Sequence, residues 1–169
     1  MAEGEAEGMQ LDAPSKGPPP FHNVRTSPAQ GVDQGMASAI HALIVDDDDD
    51  LRGSLRYLLE MDGYEVMEAR DGAEALDILR TAAQPLVVLL DLMMPRLGGI
   101  GVLNAVATDQ RLVSRHVYVM ITANRDRLDA AGKELLTRLR VPVVTKPFEV
   151  DTLLAAVVKA AQQLKTPPA

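Results

Sequence analysis

From residue 39 onward, short aliphatic runs alternate with segments whose apolar positions recur every three or four residues. His41 to Asp46, Tyr64 to Glu68, Leu86 to Asp91, His116 to Thr122 and Val141 to Thr145 read as strands. The third of these is almost wholly aliphatic, the pattern of a strand buried on both faces. Between them, Leu51, Leu55, Leu58 and Leu59 form a helical stripe that opens on aspartates and ends at Gly63. A second helix starts near Asp71 and carries Ala73, Leu76, Leu79 and Arg80; a third runs from Ile100 to Val106. A polar helix is expected from Arg125 to Arg138, and the last helix places Val150, Leu153, Leu154, Val157, Val158, Ala161 and Leu164 on one face. Strands alternating with helices in this way predict βαβ units and an α/β fold.

Four of the apolar runs deliver a polar residue at the carboxyl end: Asp46, Asp91, Thr122, and Lys146 just after Thr145. In open parallel sheets that edge is where ligands bind. Taken singly each residue has a commoner explanation. Asp46 to Asp50 could be a solvated helix start, Lys146 a surface lysine and Thr122 a strand residue satisfied by backbone. At successive strand ends together, they point to one site.

Ahead of residue 39 the pattern stops. Residues 1–38 are rich in Gly, Pro, Ala, Glu and Gln and include Pro18-Pro19-Pro20, so this stretch reads as a disordered extension that cannot bury enough surface to offset its ordering entropy. Met36 is a plausible natural start within it. One domain is expected over residues 39–164, with a frayed tail at 165–169 that contains Pro167-Pro168. An excess of 24 acidic over 17 basic residues, a net of -7, argues against direct contact with nucleic acid. The absence of cysteine removes disulfides and thiolate metal sites. The acidic amino terminus lacks the apolar segment of a signal peptide and no stretch is long enough to span a bilayer, so a cytoplasmic protein without membrane contact is expected.

Asp46, Asp47 and Asp91 brought together would repel one another unless a cation sat among them, and an all-oxygen donor set suits Mg²⁺. A carboxylate held there can attack phosphorus to give an aspartyl phosphate. Its new oxygens would find donors in the Lys146 ammonium, the Thr122 hydroxyl and the backbone N–H groups after Asp91.

The segments ALIVDDDDDLR, VVLLDLMMPRLGGI, VYVMITAN and VVTKPFE are similar, in order and spacing, to the receiver domain of bacterial two-component response regulators. The resemblance covers residues 39–164. It implies a CheY-like, flavodoxin-like (βα)5 doubly wound open sheet with five parallel strands in the order 2-1-3-4-5. It also implies Asp91 as phosphoacceptor, with Thr122 and Lys146 as its switch hydroxyl and lysine. Asp46, Asp47, Asp91 and the Met93 main-chain carbonyl would be the Mg²⁺ ligands, and a cis Lys146-Pro147 bond is implied as well. The implied partner is a histidine kinase or histidine phosphotransfer protein docking over the first helix, where Leu51, Ser54 and Leu55 are candidate contacts. Output to a downstream protein is expected from the fourth helix, fifth strand and last helix, a face made locally basic by Arg125, Arg127, Lys133, Arg138 and Arg140.

Departures from the family pattern bear on mechanism. Val143 stands where the family has its switch aromatic, Gly98-Gly99 where it commonly has Asp-Gly, and the interval from Thr122 to Lys146 is about two residues longer than in single-domain members. Met93 and Asn124 occupy the positions that tune phosphoryl lifetime; neither is an acid, so slow self-hydrolysis is expected. The expected function is a single-domain, phosphorylatable switch with no output domain of its own and not an enzyme in the ordinary sense, with a phosphorylation-dependent dimer among its expected partners. The competing reading is a scaffold of the same fold that takes no phosphate. A dehalogenase-type phosphatase is disfavoured because Met93 stands where that motif has its second acid. The glycine-rich nucleotide loops are missing too. His22, His41 and His116 have no partner at ligand spacing.

Overall fold

The computed structural model describes residues 39–165. The extension over residues 1–38, with its internal Met36, and the tail beyond Lys165 lie outside the described residues. Among the described residues five strands, β1 (Ile40–Val45), β2 (Tyr64–Ala69), β3 (Leu86–Asp91), β4 (Val117–Thr122) and β5 (Val143–Thr145), form one parallel sheet in the order β2-β1-β3-β4-β5. Within the same residues six α-helices accompany them: α1 (Asp49–Met61), α2 (Gly72–Thr81), α3 (Gly99–Ala107), α4 (Gln110–Arg115), α5 (Ala130–Arg138) and α6 (Val150–Lys165).

Alternation along each strand builds two cores, one per face. Leu43, Val45, Val88, Leu90 and Met120 point to the side covered by α2, α3 and α5, where they meet Leu76, Leu103 and Leu136. Ala42, Ile44, Val87, Leu89, Val119 and Ile121 point to the other side, against Leu55 and Leu59 of α1 and Leu153 and Val157 of α6. All six residues of β3 are buried, as a central strand covered on both faces requires. The strand order reverses between β1 and β3, which opens a crevice at their carboxyl ends.

Local chemistry fixes the helix ends near that crevice. Asp48 caps α1 by accepting the N–H groups of Asp50 and Leu51 at 3.0 and 3.1 Å, and Asp71 caps α2 through Ala73 and Glu74 at 2.8 and 3.0 Å. Gly63, at φ 87°, terminates α1 in the left-handed conformation that glycine adopts without strain.

Three expectations need correction. The helix anticipated from Arg125 to Arg138 is broken: a 3-10 turn, Arg125–Arg127, precedes α5. Asn124 caps the turn through the Asp126 N–H at 2.8 Å, Leu128 is extended and buried, and Asp129 caps α5 through the Gly132 N–H at 2.7 Å. Asn and Asp prefer such caps to helix interiors, so the segment divides at them. Helix α4 was not foreseen; it has six residues and one buried apolar anchor, Leu112, too little for a periodic signal. Strand β5 begins at Val143 instead of Val141, because Arg140 sits at φ 55° and Pro142 has no N–H to give the ladder, although its carbonyl still accepts from Met120 at 2.9 Å.

Candidate functional site

The acidic run after β1 divides its labour. Asp46 is buried, and its carboxylate accepts the Asp48 N–H at 3.0 Å through Oδ1. Asp47 is exposed and makes no hydrogen bond or ion pair among the described residues. Asp48 is the helix cap, and Asp49 pairs with Arg52. One turn into α1, the buried Arg52 donates from Nη1 to the main-chain oxygen of Asp46 at 2.7 Å.

Asp91, at the end of β3, is 5% exposed and accepts the Met93 N–H at 2.6 Å. Lys146, reached through β5, joins the two acids: its Nζ lies 2.8 Å from Asp46 Oδ2 and 2.7 Å from Asp91 Oδ1. The Lys146-Pro147 peptide is cis. The Lys146 N–H donates to the Thr122 carbonyl at 2.7 Å, which ties the lysine's backbone to the end of β4.

Burial pushes the Asp91 carboxyl up, and the nearby Asp46 charge adds to this, against the opposing pull of Lys146 and the Met93 N–H. For Lys146, burial pulls the ammonium down, but hydrogen bonds and charge from Asp46 and Asp91 together outweigh it and raise its pKa. One ammonium shared by two buried carboxylates leaves the pocket with an excess of negative charge.

The structure thus brings Asp46, Asp91 and Lys146 into direct contact and leaves two expected members apart. Asp47 is at the rim. Thr122 is fully buried, but its hydroxyl closes a local turn, accepting the Asn124 N–H at 3.0 Å and donating to the Asn124 carbonyl at 3.1 Å. Met93 is 54% exposed, with only its main chain engaged at Asp91. Among the described residues no three acidic or histidine side chains are preassembled in a metal-binding group. In kind, the carboxylates of Asp46, Asp47 and Asp91 with the Met93 carbonyl are the hard oxygen donors Mg²⁺ prefers, and the negative excess around Lys146 favours a cation.

The loop after Asp91 is held closely. Gly98 and Gly99 let α3 start against it: a Cβ on Gly99 would stand 2.5 Å from the Asp91 carbonyl oxygen. Arg96, at φ 65°, pairs with Asp71, which fastens this loop to the start of α2. Leu55 is no candidate for a docking contact. It is 3% exposed and belongs to the core, whereas Ser54, Tyr57 and Met61 face solvent on α1.

Two of these residues escaped the sequence reading. Arg52 lies in register with Leu55 and Leu59, and an arginine on an apolar stripe is the signal that marks it. The Arg96 to Asp71 pair spans 25 residues and left no local signal.

The profile of the response regulator receiver domain matches residues 42–158. The chain is 39% identical over 116 residues to the transcriptional regulatory protein CpxR of Escherichia coli K12, covering 68% of this chain and 46% of CpxR. It is 36% identical over 123 residues to the response regulator MprA of Mycolicibacterium vanbaalenii, covering 69% and 48%. It therefore spans about half the length of the curated relatives it matches. Among solved structures, a CheY-like receiver domain protein from Methanospirillum hungatei superposes with a TM-score of 0.64 at 28% identity, over 75% of this chain and 98% of that one. Chemotaxis protein CheY4 of Vibrio cholerae gives 0.62 at 26%, over 73% and 99%. With its parallel sheet in the order 2-1-3-4-5 and its acids and lysine gathered at the switch point, the chain belongs to the response regulator receiver domain family.

Proposed function

We propose that Asp91 accepts a phosphoryl group from a phosphohistidine on a kinase or phosphotransfer protein, and that the resulting charge switches this chain's affinity for a protein partner. The observation that carries the reading is the bridge from Lys146 to Asp46 and Asp91 at 2.8 and 2.7 Å, because a lysine placed on the nucleophile's oxygen can follow the charge onto phosphorus. An Asp91 oxygen attacks phosphorus, the N–P bond breaks, and the histidine nitrogen keeps the electron pair and takes a proton. The raised pKa of Lys146 keeps it an ammonium throughout. The Met93 N–H, already on Asp91, is a second donor for the developing charge.

Asp46, Asp47, Asp91 and the Met93 carbonyl would hold Mg²⁺. When bound, the ion neutralises phosphoryl oxygens and shields the acids from one another. Thr122 is one residue beyond the strand position paired with Asp91, and the reading requires it to exchange its Asn124 contacts for a phosphoryl oxygen. The aspartyl phosphate would carry about two negative charges where the carboxylate carried one. Val143, where the family has its aromatic, accepts the Arg125 guanidinium Nη2 on its main-chain carbonyl at 2.8 Å, so the change would pass from β4 and β5 to the adjacent 3-10 turn through the Arg125 side chain.

A groove of about 690 Å³ opens beside that turn, between α5, β5 and α6. Arg125, Lys133, Arg140 and Lys159 line it around an apolar floor that includes Leu136 and Val141, which supports output toward an acidic partner surface. Arg127 and Arg138 do not line it. The acidic total still argues against nucleic acid as a direct partner of this chain. Among the described residues no helix is long and apolar enough to cross a membrane.

The test is intact-mass spectrometry after incubation with Mg²⁺ and acetyl phosphate, beside Asp91→Asn. A phosphoryl adduct in the parent that is absent from the variant is expected. No adduct on a folded, Mg²⁺-binding parent would leave the phosphate-independent scaffold.

A further inference from the structure

Arg52 stands on the inward face of α1 with Leu55 and Leu59, and it is only 7% exposed. Burying a guanidinium is costly unless its donors are used, and here the use is lopsided. Nη1 donates to the main-chain oxygen of Asp46 at 2.7 Å and Nη2 to the Asp49 carboxylate, while Nε is buried with no hydrogen-bond partner among the described residues. A methionine would fill the same space without stranding a donor. Stability alone therefore does not account for an arginine here.

Its two anchors do. Asp46 and Asp49 bracket the turn that carries Asp47, so the planar fork pins both ends of that turn at once. Asp46 is gripped twice, by Arg52 through its main chain and by Lys146 through its side chain. Asp47, with no side-chain partner of its own, stands where the pinned backbone puts it.

We propose that Arg52 is a positioning residue for a divalent cation, holding the Asp46 to Asp49 turn from beneath so that the backbone carrying the Asp46 and Asp47 carboxylates stays fixed. This role rests on the Mg²⁺ site proposed above. Positioning and charge make opposite predictions. If Arg52 were only a counter-charge to the acidic run, its removal would make the pocket more negative and Mg²⁺ would bind more tightly. If Arg52 positions the turn, its removal weakens Mg²⁺ binding although a repelling cation has gone.

Calorimetric titration of the full chain with MgCl₂ at pH 7.5 decides the sign, with urea unfolding run on each variant to confirm that it is folded. Arg52→Met is expected to weaken the Mg²⁺ Kd about tenfold or more, the range for groups that orient metal ligands. Arg52→Lys keeps the charge but cannot reach both anchors, and is expected to weaken it by about threefold or more. Leu55→Val, on the same buried face but away from the turn, should lose stability and leave the Mg²⁺ Kd unchanged. A folded Arg52→Met with a Kd equal to the parent's, tighter, or weakened by less than about threefold overturns the proposal. Should Arg52→Met fail to fold, Arg52→Lys decides by the same threshold. A parent that binds no Mg²⁺ and takes no phosphoryl group overturns the functional reading together with this one. A parent that does both, with Arg52→Met unchanged, overturns this one alone.

Discussion

His116 offers the cleanest quantitative test of the fold. It caps the end of α4 immediately before β4, 2% exposed, with Nδ1 accepting the Leu86 N–H at 3.2 Å and Nε2 facing the Leu79 carbonyl at 3.1 Å. That arrangement needs a neutral ring with its proton on Nε2, since a proton on Nδ1 would confront the Leu86 N–H. The ring thereby satisfies an orphan carbonyl in the last turn of α2 and the first N–H of β3. Burial, with some help from Arg115 and against the pull of the Leu79 carbonyl, lowers its pKa from 6.5 to about 4. Because the folded pKa is depressed, the unfolded chain binds a proton between pH 6.5 and about 4 that the folded chain refuses, and stability falls as pH drops through that window. The full effect is about 3 kcal/mol, of which about 2 kcal/mol falls between pH 7.5 and 5.0. With no tryptophan in the chain, urea unfolding is best followed by far-UV circular dichroism. Asp91, raised by burial, acts in the opposite direction, so the informative quantity is the difference between the parent and His116→Gln at each pH. The glutamine should cost about 1–3 kcal/mol at pH 7.5 through imperfect replacement of two buried hydrogen bonds. At pH 5.0 that deficit should shrink by about 2 kcal/mol. Equal deficits at the two pH values would refute the neutral, capping histidine.

Three further outcomes follow from the site. Lys146→Met leaves Asp46 and Asp91 buried without their shared cation and should cost about 3–5 kcal/mol at pH 7.5 by urea unfolding. Because Asp91 is already raised, its protonation should return part of that as pH falls, so a larger loss at pH 5.5 would contradict the bridge. Gly99→Ala should lower stability by about 1–3 kcal/mol and reduce acetyl-phosphate labelling, because the new methyl meets the Asp91 carbonyl; a variant with the parent's Tm and labelling would show that α3 yields freely. An acidic or amide residue at Met93, or an acidic one at Asn124, should shorten the phosphoryl lifetime measured by intact mass. An unchanged decay would remove both residues from control of water at the site.

Much of the architecture was legible because it is a matter of local period. The short apolar runs of β1 and β4 and the unbroken aliphatic run of β3 specify strands covered on both faces, and the stripes of α1, α2 and α6 specify the helices that cover them. Asp46, Asp91, Thr122 and Lys146 were visible as strand-end residues, and parallel crossovers carry all strand ends of one sense to one edge. Chain order and spacing gave the family resemblance, and local helix signals placed Gly63 and Asp71.

Tertiary structure decided which of those residues touch. Lys146 reaches acids 100 and 55 positions away in the chain, and His116 meets carbonyl and amide groups 37 and 30 positions away. Such contacts depend on how strands are ordered and helices docked, which no local period encodes. The Thr122 hydroxyl spends itself on Asn124, the polar segment before β5 divides at Leu128 and Asp129, and Arg52 turns inward beneath the acidic turn. Each of these is a competition between alternative hydrogen-bond partners of similar local merit, and it is resolved only when the surrounding backbone is in place to offer one partner and bury the other.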